Sequence, residues 1–97
     1  MDILHYQQQQ LYLEGRPLAE LAAEFGTPCY VYSKAALTRA WQNFAQAFAS
    51  RPNTRICYAV KANSNLAILN LFAKLGAGFD IVTGGELARV LKAGGDA

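Results

Sequence analysis

The sequence has few charged residues and little of the polar chemistry on which many enzymes depend. Only 16% of its 97 residues are charged, and there is a single histidine. The basic residues form no block within a net charge of +2, which argues against nucleic acid or a membrane surface as a partner. No apolar run is long enough to span a bilayer. The first ten residues, MDILHYQQQQ, lack the basic region and the long apolar stretch of a signal peptide.

The two cysteines, Cys29 and Cys57, have no CxxC spacing, and the single histidine, His5, lies far from them in sequence. This arrangement predicts no metal site and excludes a Ser–His–Asp set. Each cysteine lies in a short apolar segment, where we expect a buried, reduced thiol of a cytoplasmic protein. Gly76 and Gly78 precede a predicted strand and do not follow one, so they form no dinucleotide-binding fingerprint.

Apolar residues make up 53% of the chain, which is a high fraction for so small a domain. We therefore expect a part of a larger protein, whose apolar faces are covered by further chain or by a partner. At the start of the chain, two short extended segments flank the glutamine run 7–10 and predict a loop or a hairpin. A helix is expected between Pro17 and Gly26, with Gly26 as a left-handed cap.

The rest of the chain alternates between strand and helix patterns. Strands are expected over 29–32, 55–60 and 79–82, and helices from Ser33 to the Arg-Pro-Asn at 51–53, over 66–75 and over 86–93. Strand and helix units with short connections predict an α/β fold, in which helices pack outside a parallel sheet. Because there are too few units to close an eight-stranded barrel, we predict the first part of a (β/α)8 TIM-like barrel. The predicted division assigns 1–26 to an extended segment with a helix, and 27–97 to the first barrel units.

Lys61 follows directly after the predicted strand 55–60 and is the first candidate for chemistry. Alternation along the strand places Cys57, Ala59 and Lys61 on one face, with small side chains beneath the lysine. Barrel enzymes keep their active sites at the carboxyl ends of the strands. A lysine that is partly desolvated there can use its neutral amine to form a Schiff base with a carbonyl. The alternative is a structural lysine whose charge reaches solvent from a strand end.

Two acidic residues are further candidates. Asp80 interrupts an apolar strand, and it would lie near Lys61 if its side chain pointed to the same face as that of Val82. An exposed carboxylate at the start of the strand is an equal alternative. Glu86 follows Thr83 by three residues, and the pair forms a capping box at a helix start. We take capping as the primary role of Glu86, ahead of a place in the site.

Three stretches carry a resemblance to a known family. YAVKANSN (58–65) and GAGFDIVTGGELARVLKAG (76–94), in this order and at this separation, closely resemble the diaminopimelate decarboxylases. These are pyridoxal-phosphate enzymes of the alanine-racemase-like class. LAAEFGTPCYVYS (21–33) is also similar to the amino-terminal region of that family. The resemblance covers essentially the whole chain, but only the amino-terminal portion of a family member.

The resemblance implies pyridoxal 5'-phosphate as cofactor, held by Lys61 as a Schiff base, with Asp80 beside them at the barrel mouth. It makes Glu86 and Ala59 further candidates near the cofactor, and Thr83 keeps the hydroxyl of a position where many relatives have serine. The implied reaction converts meso-diaminopimelate to L-lysine and carbon dioxide in a cytoplasmic homodimer. In the family the phosphate-binding and substrate-binding segments and a carboxyl-terminal β-domain lie further along the chain. Residues 1–97 alone are therefore expected to be inactive.

Two alternatives stay open at this point. Ornithine and arginine decarboxylases carry a similar YAVK…GFD pattern, although the GGEL continuation at 84–87 favours the diaminopimelate enzymes. A non-catalytic fragment or assembly module is the second alternative, because the high apolar content suits helices that are presented to a partner. Covalent labelling of Lys61 by pyridoxal phosphate distinguishes an enzyme from such a module.

Overall fold

A computed structural model describes residues 2–96, which form two compact units that divide between Leu37 and Thr38. In chain order the elements are β1 (Leu4–Gln7), β2 (Gln10–Leu13), β3 (Arg16–Pro17), α1 (Leu18–Phe25), α2 (Lys34–Ala47), β4 (Cys57–Ala59), α3 (Leu66–Leu75), β5 (Gly78–Asp80) and α4 (Gly84–Lys92). This mixture confirms the predicted α/β class. None of the helices described is both long and apolar enough to cross a membrane.

The first unit begins with three short antiparallel strands in the order β1–β2–β3. Leu4 lies opposite Leu13 and Gln7 lies opposite Gln10, so the glutamine run forms the turn of a hairpin. Gln8 and Gln9 both have positive φ, at 50° and 67°. Positive φ at both central residues is the mark of a type I′ turn, whose twist matches that of the paired strands. The predicted hairpin is confirmed.

Helix α1 follows the sheet and has the bounds that the sequence predicted. Leu21 is buried within this unit, whereas Phe25, four residues later on the same side of the helix, is 67% exposed. Gly26 ends the helix, and its N–H donates to the carbonyl of Ala22 at 2.8 Å. Its φ of 82° is positive as expected, but its ψ of 171° lies outside the left-handed helical region. The cap is therefore a glycine with positive φ in an extended conformation, and the prediction of a left-handed helical cap is wrong.

Residues 29–32 do not form the predicted strand. They belong to no sheet in the described part of the chain, and Tyr30 is 90% exposed. The rings of Tyr30 and Tyr32 stack with their centroids 6.4 Å apart, as residues i and i+2 can on one side of an extended segment. The β-favouring side chains thus produce an extended segment. A strand also requires a neighbour for its backbone hydrogen bonds, and residues 2–96 provide none here.

Helix α2 begins where the sequence predicted. The Ser33 hydroxyl oxygen accepts a hydrogen bond from the N–H of Ala36 at 3.0 Å, which confirms the predicted cap. Further along the helix, in the second unit, the Trp41 ring packs against Phe72 with centroids 6.4 Å apart. Phe44, three residues after Trp41, is 62% exposed.

The second unit contains the parallel strands β4 and β5, paired so that Cys57 lies opposite Gly78 and Ala59 opposite Asp80. Each strand has three residues and is shorter than predicted: β4 begins two residues later and ends one residue earlier, and β5 ends two residues earlier. Helix α3 has the predicted bounds, and α4 begins at Gly84, two residues before the predicted start. The parallel pairing of consecutive strand–helix units confirms the predicted arrangement of this region.

The core of the second unit lies between these two strands and two helices. Its buried members are Val60, Leu69, Val90 and Ala93, and Tyr58, Phe79 and Ile81 pack partly buried against them. Val60 and Leu69 are both fully buried. The larger apolar side chains at positions 58 and 60 therefore face the helices, as the alternation in the sequence predicted.

Both cysteines are free and exposed, so the prediction that they are buried is wrong. Cys57 lies on the face of β4 opposite Tyr58, and this face points away from the core helices. A Cβ atom on Gly78 would lie 2.7 Å from Cys57 Sγ, so a larger residue there would require the Cys57 side chain to move. Cys29 lies in the exposed extended segment described above. The apolar sequence context therefore did not bury either thiol.

Candidate active site

Lys61 lies at the carboxyl end of β4, within a single 3₁₀ turn formed by Val60–Ala62. The strand ends at Ala59, so strand alternation does not set the direction of the Lys61 side chain. The buried Val60 anchors the turn in the core, and Lys61 beside it is exposed. Within residues 2–96 no hydrogen bond or ion pair holds the Lys61 amine. The predicted partial desolvation is thus not found in this part of the chain, and the amine is accessible from solvent.

Asp80 is the last residue of β5 and pairs with Ala59 in the parallel register. Lys61 follows Ala59 by two residues, so both candidate residues leave the sheet at the same edge. This is the edge at which open and closed parallel sheets bind their ligands. Asp80 is exposed, and in the described chain it makes no ion pair with Lys61.

Small side chains line the carboxyl-edge part of the sheet face that carries Ala59 and Asp80, whereas the Arg55 side chain lies beside Gly78 at the other end. Cys57 and Gly78 are the other opposed pair on this face, whereas Tyr58 points to the core. An accessible primary amine at the carboxyl edge of this face, where Ala59 and Asp80 are the opposed residues, fits the pyridoxal group that the resemblance implies. The residues present are therefore compatible with that cofactor.

Glu86 and Thr83 cap helix α4, as predicted. Thr83 Oγ1 accepts a hydrogen bond from the N–H of Glu86 at 3.1 Å. Glu86 Oε1 in turn accepts one from the N–H of Val82 at 2.9 Å, one residue earlier than in the usual capping box. Through this second bond, Glu86 also holds the loop that leaves β5 after Asp80.

Replacing Thr83 by alanine is expected to lower the free energy of unfolding by about 0.5–2 kcal/mol, because the Glu86 N–H loses its acceptor. Urea denaturation measures this loss. Thr83→Ser keeps the hydroxyl and should remain close to the unsubstituted protein. Equal losses in both variants would contradict the capping role.

The loop that follows Lys61 is held by two hydrogen bonds that sequence reasoning missed. Tyr58 Oη donates to the carbonyl of Asn63 at 2.8 Å. Arg89 Nε, on α4, donates to the carbonyl of Ser64 at 2.8 Å. These bonds connect the loop to β4, which precedes it, and to α4, which comes later in the chain.

Neither donor carries a strong signal in the sequence. Strand alternation places the Tyr58 side chain on the core face, but it does not reveal which group its hydroxyl bonds. Arg89 follows Glu86 by three residues, so the two lie on one face of α4. That spacing is the only available indication that Arg89 points toward the same loops as Glu86.

Comparison with known proteins identifies the family of this chain. Residues 34–97 match the family described as pyridoxal-dependent decarboxylase, pyridoxal binding domain. Over 97 residues the chain is 56% identical to the diaminopimelate decarboxylase of Haemophilus influenzae. The alignment covers 100% of this chain and 23% of that protein. It is 61% identical over 87 residues to the diaminopimelate decarboxylase of Neisseria meningitidis serogroup B, which is 90% of this chain and 21% of that protein.

Solved structures share the fold. Diaminopimelate decarboxylase from M. jannaschii in complex with L-lysine is 37% identical, with a TM-score of 0.88 over 95% of this chain and 22% of that one. AQ1208 from Aquifex aeolicus is 47% identical, with a TM-score of 0.89 over 96% of this chain and 23% of that one. The chain thus spans 23% or less of the length of these relatives. It belongs to the pyridoxal-binding domain family of the pyridoxal-dependent decarboxylases.

Proposed function

We propose that this chain carries the cofactor lysine of a diaminopimelate decarboxylase, which converts meso-2,6-diaminopimelate to L-lysine and carbon dioxide. One observation carries the proposal: six relatives of that name are 53–61% identical to the chain over at least 87 residues. A solved relative of the same name was crystallised with L-lysine, the product that this reaction releases.

Lys61 is the residue that would bind pyridoxal 5'-phosphate covalently, through Nζ. When bound, the cofactor supplies an electron sink for the electron pair that carbon dioxide leaves behind. Whenever it is not bound to the cofactor, Lys61 Nζ would be able to hold or deliver a proton as a general acid or base. The buried Val60 fixes the backbone immediately before this amine.

Asp80 would act from the neighbouring strand. Its carboxylate leaves the sheet at the same edge as Lys61 and is suited to orient a cationic group at the mouth of the site. Ala59, opposite Asp80 in the register, keeps the face between them free of bulk. Glu86 acts one step further away, by holding the loop after Asp80.

We expect Asp80→Asn to lower carbon dioxide release about 10–100-fold, which is the effect of losing one charge-assisted hydrogen bond. The amide has the shape of the carboxylate without its charge. Steady-state rates with meso-diaminopimelate measure the change. Asp96→Asn removes an exposed carboxylate of the same unit and serves as the matched control. Rates that are equally low in both variants, or unchanged in Asp80→Asn, would remove Asp80 from the site.

We also propose that β4, β5 and their helices are the first units of an eight-stranded barrel, and that residues 1–26 and 27–97 belong to different domains. The full-length enzyme would be a cytoplasmic homodimer. The support is the family resemblance of the motifs around Lys61 and Asp80, together with the TM-score of 0.89 to a chain more than four times as long.

The test uses the full-length protein that carries this chain, purified and supplied with pyridoxal phosphate. We expect carbon dioxide release from meso-diaminopimelate and, after borohydride reduction, a pyridoxyl label on Lys61. Release from ornithine or arginine alone would overturn the substrate assignment and leave the cofactor assignment intact. A folded protein that binds no pyridoxal phosphate would overturn both, and would favour a non-catalytic module.

A further inference from the structure

We propose that Arg89 is a positioning residue for Lys61, because from helix α4 it holds the loop that follows the lysine turn. This inference rests on the proposed function, in which Lys61 binds the cofactor. Arg89 itself touches neither the Lys61 amine nor any group that reacts, and it acts through the backbone of Ser64.

The first contact that carries the proposal joins parts of the chain that are distant in sequence. Arg89 and Ser64 are 25 residues apart, and their Nε–O distance is 2.8 Å. A guanidinium donor makes a charge-assisted hydrogen bond, which is roughly twice as strong as a neutral one. Ser64 follows Lys61 by three residues, so this bond fixes the backbone close in sequence to the reactive lysine.

The second contact holds the same loop from strand β4. Tyr58 Oη donates to the carbonyl of Asn63, and its ring is stacked on Phe72 with centroids 4.6 Å apart. The N–H of Asn63 donates to the carbonyl of Val60 at 3.2 Å and closes the turn around Lys61. The backbone on both sides of Lys61 is therefore fixed, by burial of Val60 before it and by hydrogen bonds after it.

The third observation is that one helix holds both loops of the candidate site. Glu86 and Arg89 have opposite charges and lie three residues apart on α4, yet within the described residues they form no ion pair with each other. Glu86 instead bonds the backbone after Asp80, and Arg89 bonds the backbone after Lys61. Helix α4 consequently couples the positions of the two candidate residues.

The test compares Arg89→Met with Arg89→Lys in the full-length protein. Methionine keeps an unbranched, helix-favouring side chain but lacks the donor, whereas the lysine ammonium can still donate to the Ser64 carbonyl. We expect Arg89→Met to slow covalent attachment of pyridoxal phosphate at Lys61 about tenfold at equal bound cofactor, as loss of one charge-assisted bond implies. Arg89→Lys should recover most of the rate. Lys92→Met, which removes another exposed charge of α4, should leave the rate unchanged.

Tyr58→Phe is the second variant, since it keeps the ring on Phe72 and removes only the hydroxyl donor. It should slow attachment in the same direction. Wild-type attachment in Arg89→Met would overturn the proposal. An Arg89→Lys variant that is as slow as Arg89→Met would also overturn it. If Arg89 acts through its hydrogen bond, a lysine ammonium that can still donate should restore the attachment rate.

Hydrogen exchange separates this proposal from the proposed function. If the unsubstituted protein binds no pyridoxal phosphate at Lys61, the proposed function fails. The claim that Arg89 holds the loop after Lys61 can still be tested. Faster exchange of the backbone amides over 62–66 in Arg89→Met, but not in Lys92→Met, would then support the holding role of Arg89. Unchanged exchange would contradict it.

Discussion

Replacing Lys61 by alanine is expected to abolish covalent attachment of pyridoxal phosphate and to lower carbon dioxide release by about 10²–10⁴-fold or more, the range for losing a proton-transfer group. The reason is chemical: a methyl group can neither bind the cofactor's carbonyl carbon nor carry a proton. The variant should fold normally, because the Lys61 side chain is exposed and makes no hydrogen bond or ion pair within residues 2–96. Assays with meso-diaminopimelate, and the mass of the borohydride-treated protein, measure the two effects.

Lys74→Ala is the matched control for Lys61→Ala. Lys74 lies in the last turn of α3, the helix whose first turn follows the Lys61 loop, and it is also exposed. About eight residues of helix place it roughly 12 Å along the axis from that first turn. Its removal should leave both label and rate unchanged. Retention of the label in Lys61→Ala would show that a different lysine binds the cofactor.

Replacing Leu69 by alanine is expected to have the largest effect on stability, about 2–5 kcal/mol of unfolding free energy. Leu69 is fully buried, and it packs in the cluster that contains Val60. The substitution removes buried apolar surface and leaves a cavity that the short strands and two helices can only partly close. Because Val60 anchors the turn of Lys61, the same substitution should also loosen the candidate site.

Urea denaturation followed by the fluorescence of Trp41, the only tryptophan, measures this effect in the second unit. Leu66→Ala is the control, since Leu66 lies on the same helix but is 40% exposed. Its loss should stay below about 1 kcal/mol, near the range for surface positions. Comparable losses at both positions would mean that the core is not centred on Leu69.

Much of the second unit could be predicted from the sequence because its elements have local start and stop signals. Asn65 accepts hydrogen bonds from the N–H groups of Ala67 and Ile68 at the start of α3, and Gly76 ends that helix with φ 93°. Such signals act within a few residues of each other, so a sequence reveals them. The same holds for Ser33 and Thr83, whose hydroxyls cap the helices that follow.

Two incorrect predictions, the strand over 29–32 and the buried cysteines, concern interactions with distant parts of the chain. Residues 29–32 have a strand composition, but a strand exists only where another strand pairs with it. Cys57 lies in an apolar segment, yet its exposure depends on what covers that sheet face. In each case the local sequence determined the backbone preference, and tertiary contacts determined the outcome.

The candidate site shows the same limit. The positions of Lys61 and Asp80 at one sheet edge followed from the parallel strand order. Strand alternation does not predict the 3₁₀ turn at Lys61, because β4 ends at Ala59, two residues before the lysine. The bond from Arg89 to Ser64 spans 25 residues, and no local pattern reveals it.

The most direct measurement of the central claim is peptide mapping of the full-length protein after pyridoxal phosphate and borohydride treatment. We expect a single pyridoxyl group per chain, on the peptide that contains Lys61. A label on any other lysine, or none on a folded protein saturated with the cofactor, would contradict the account.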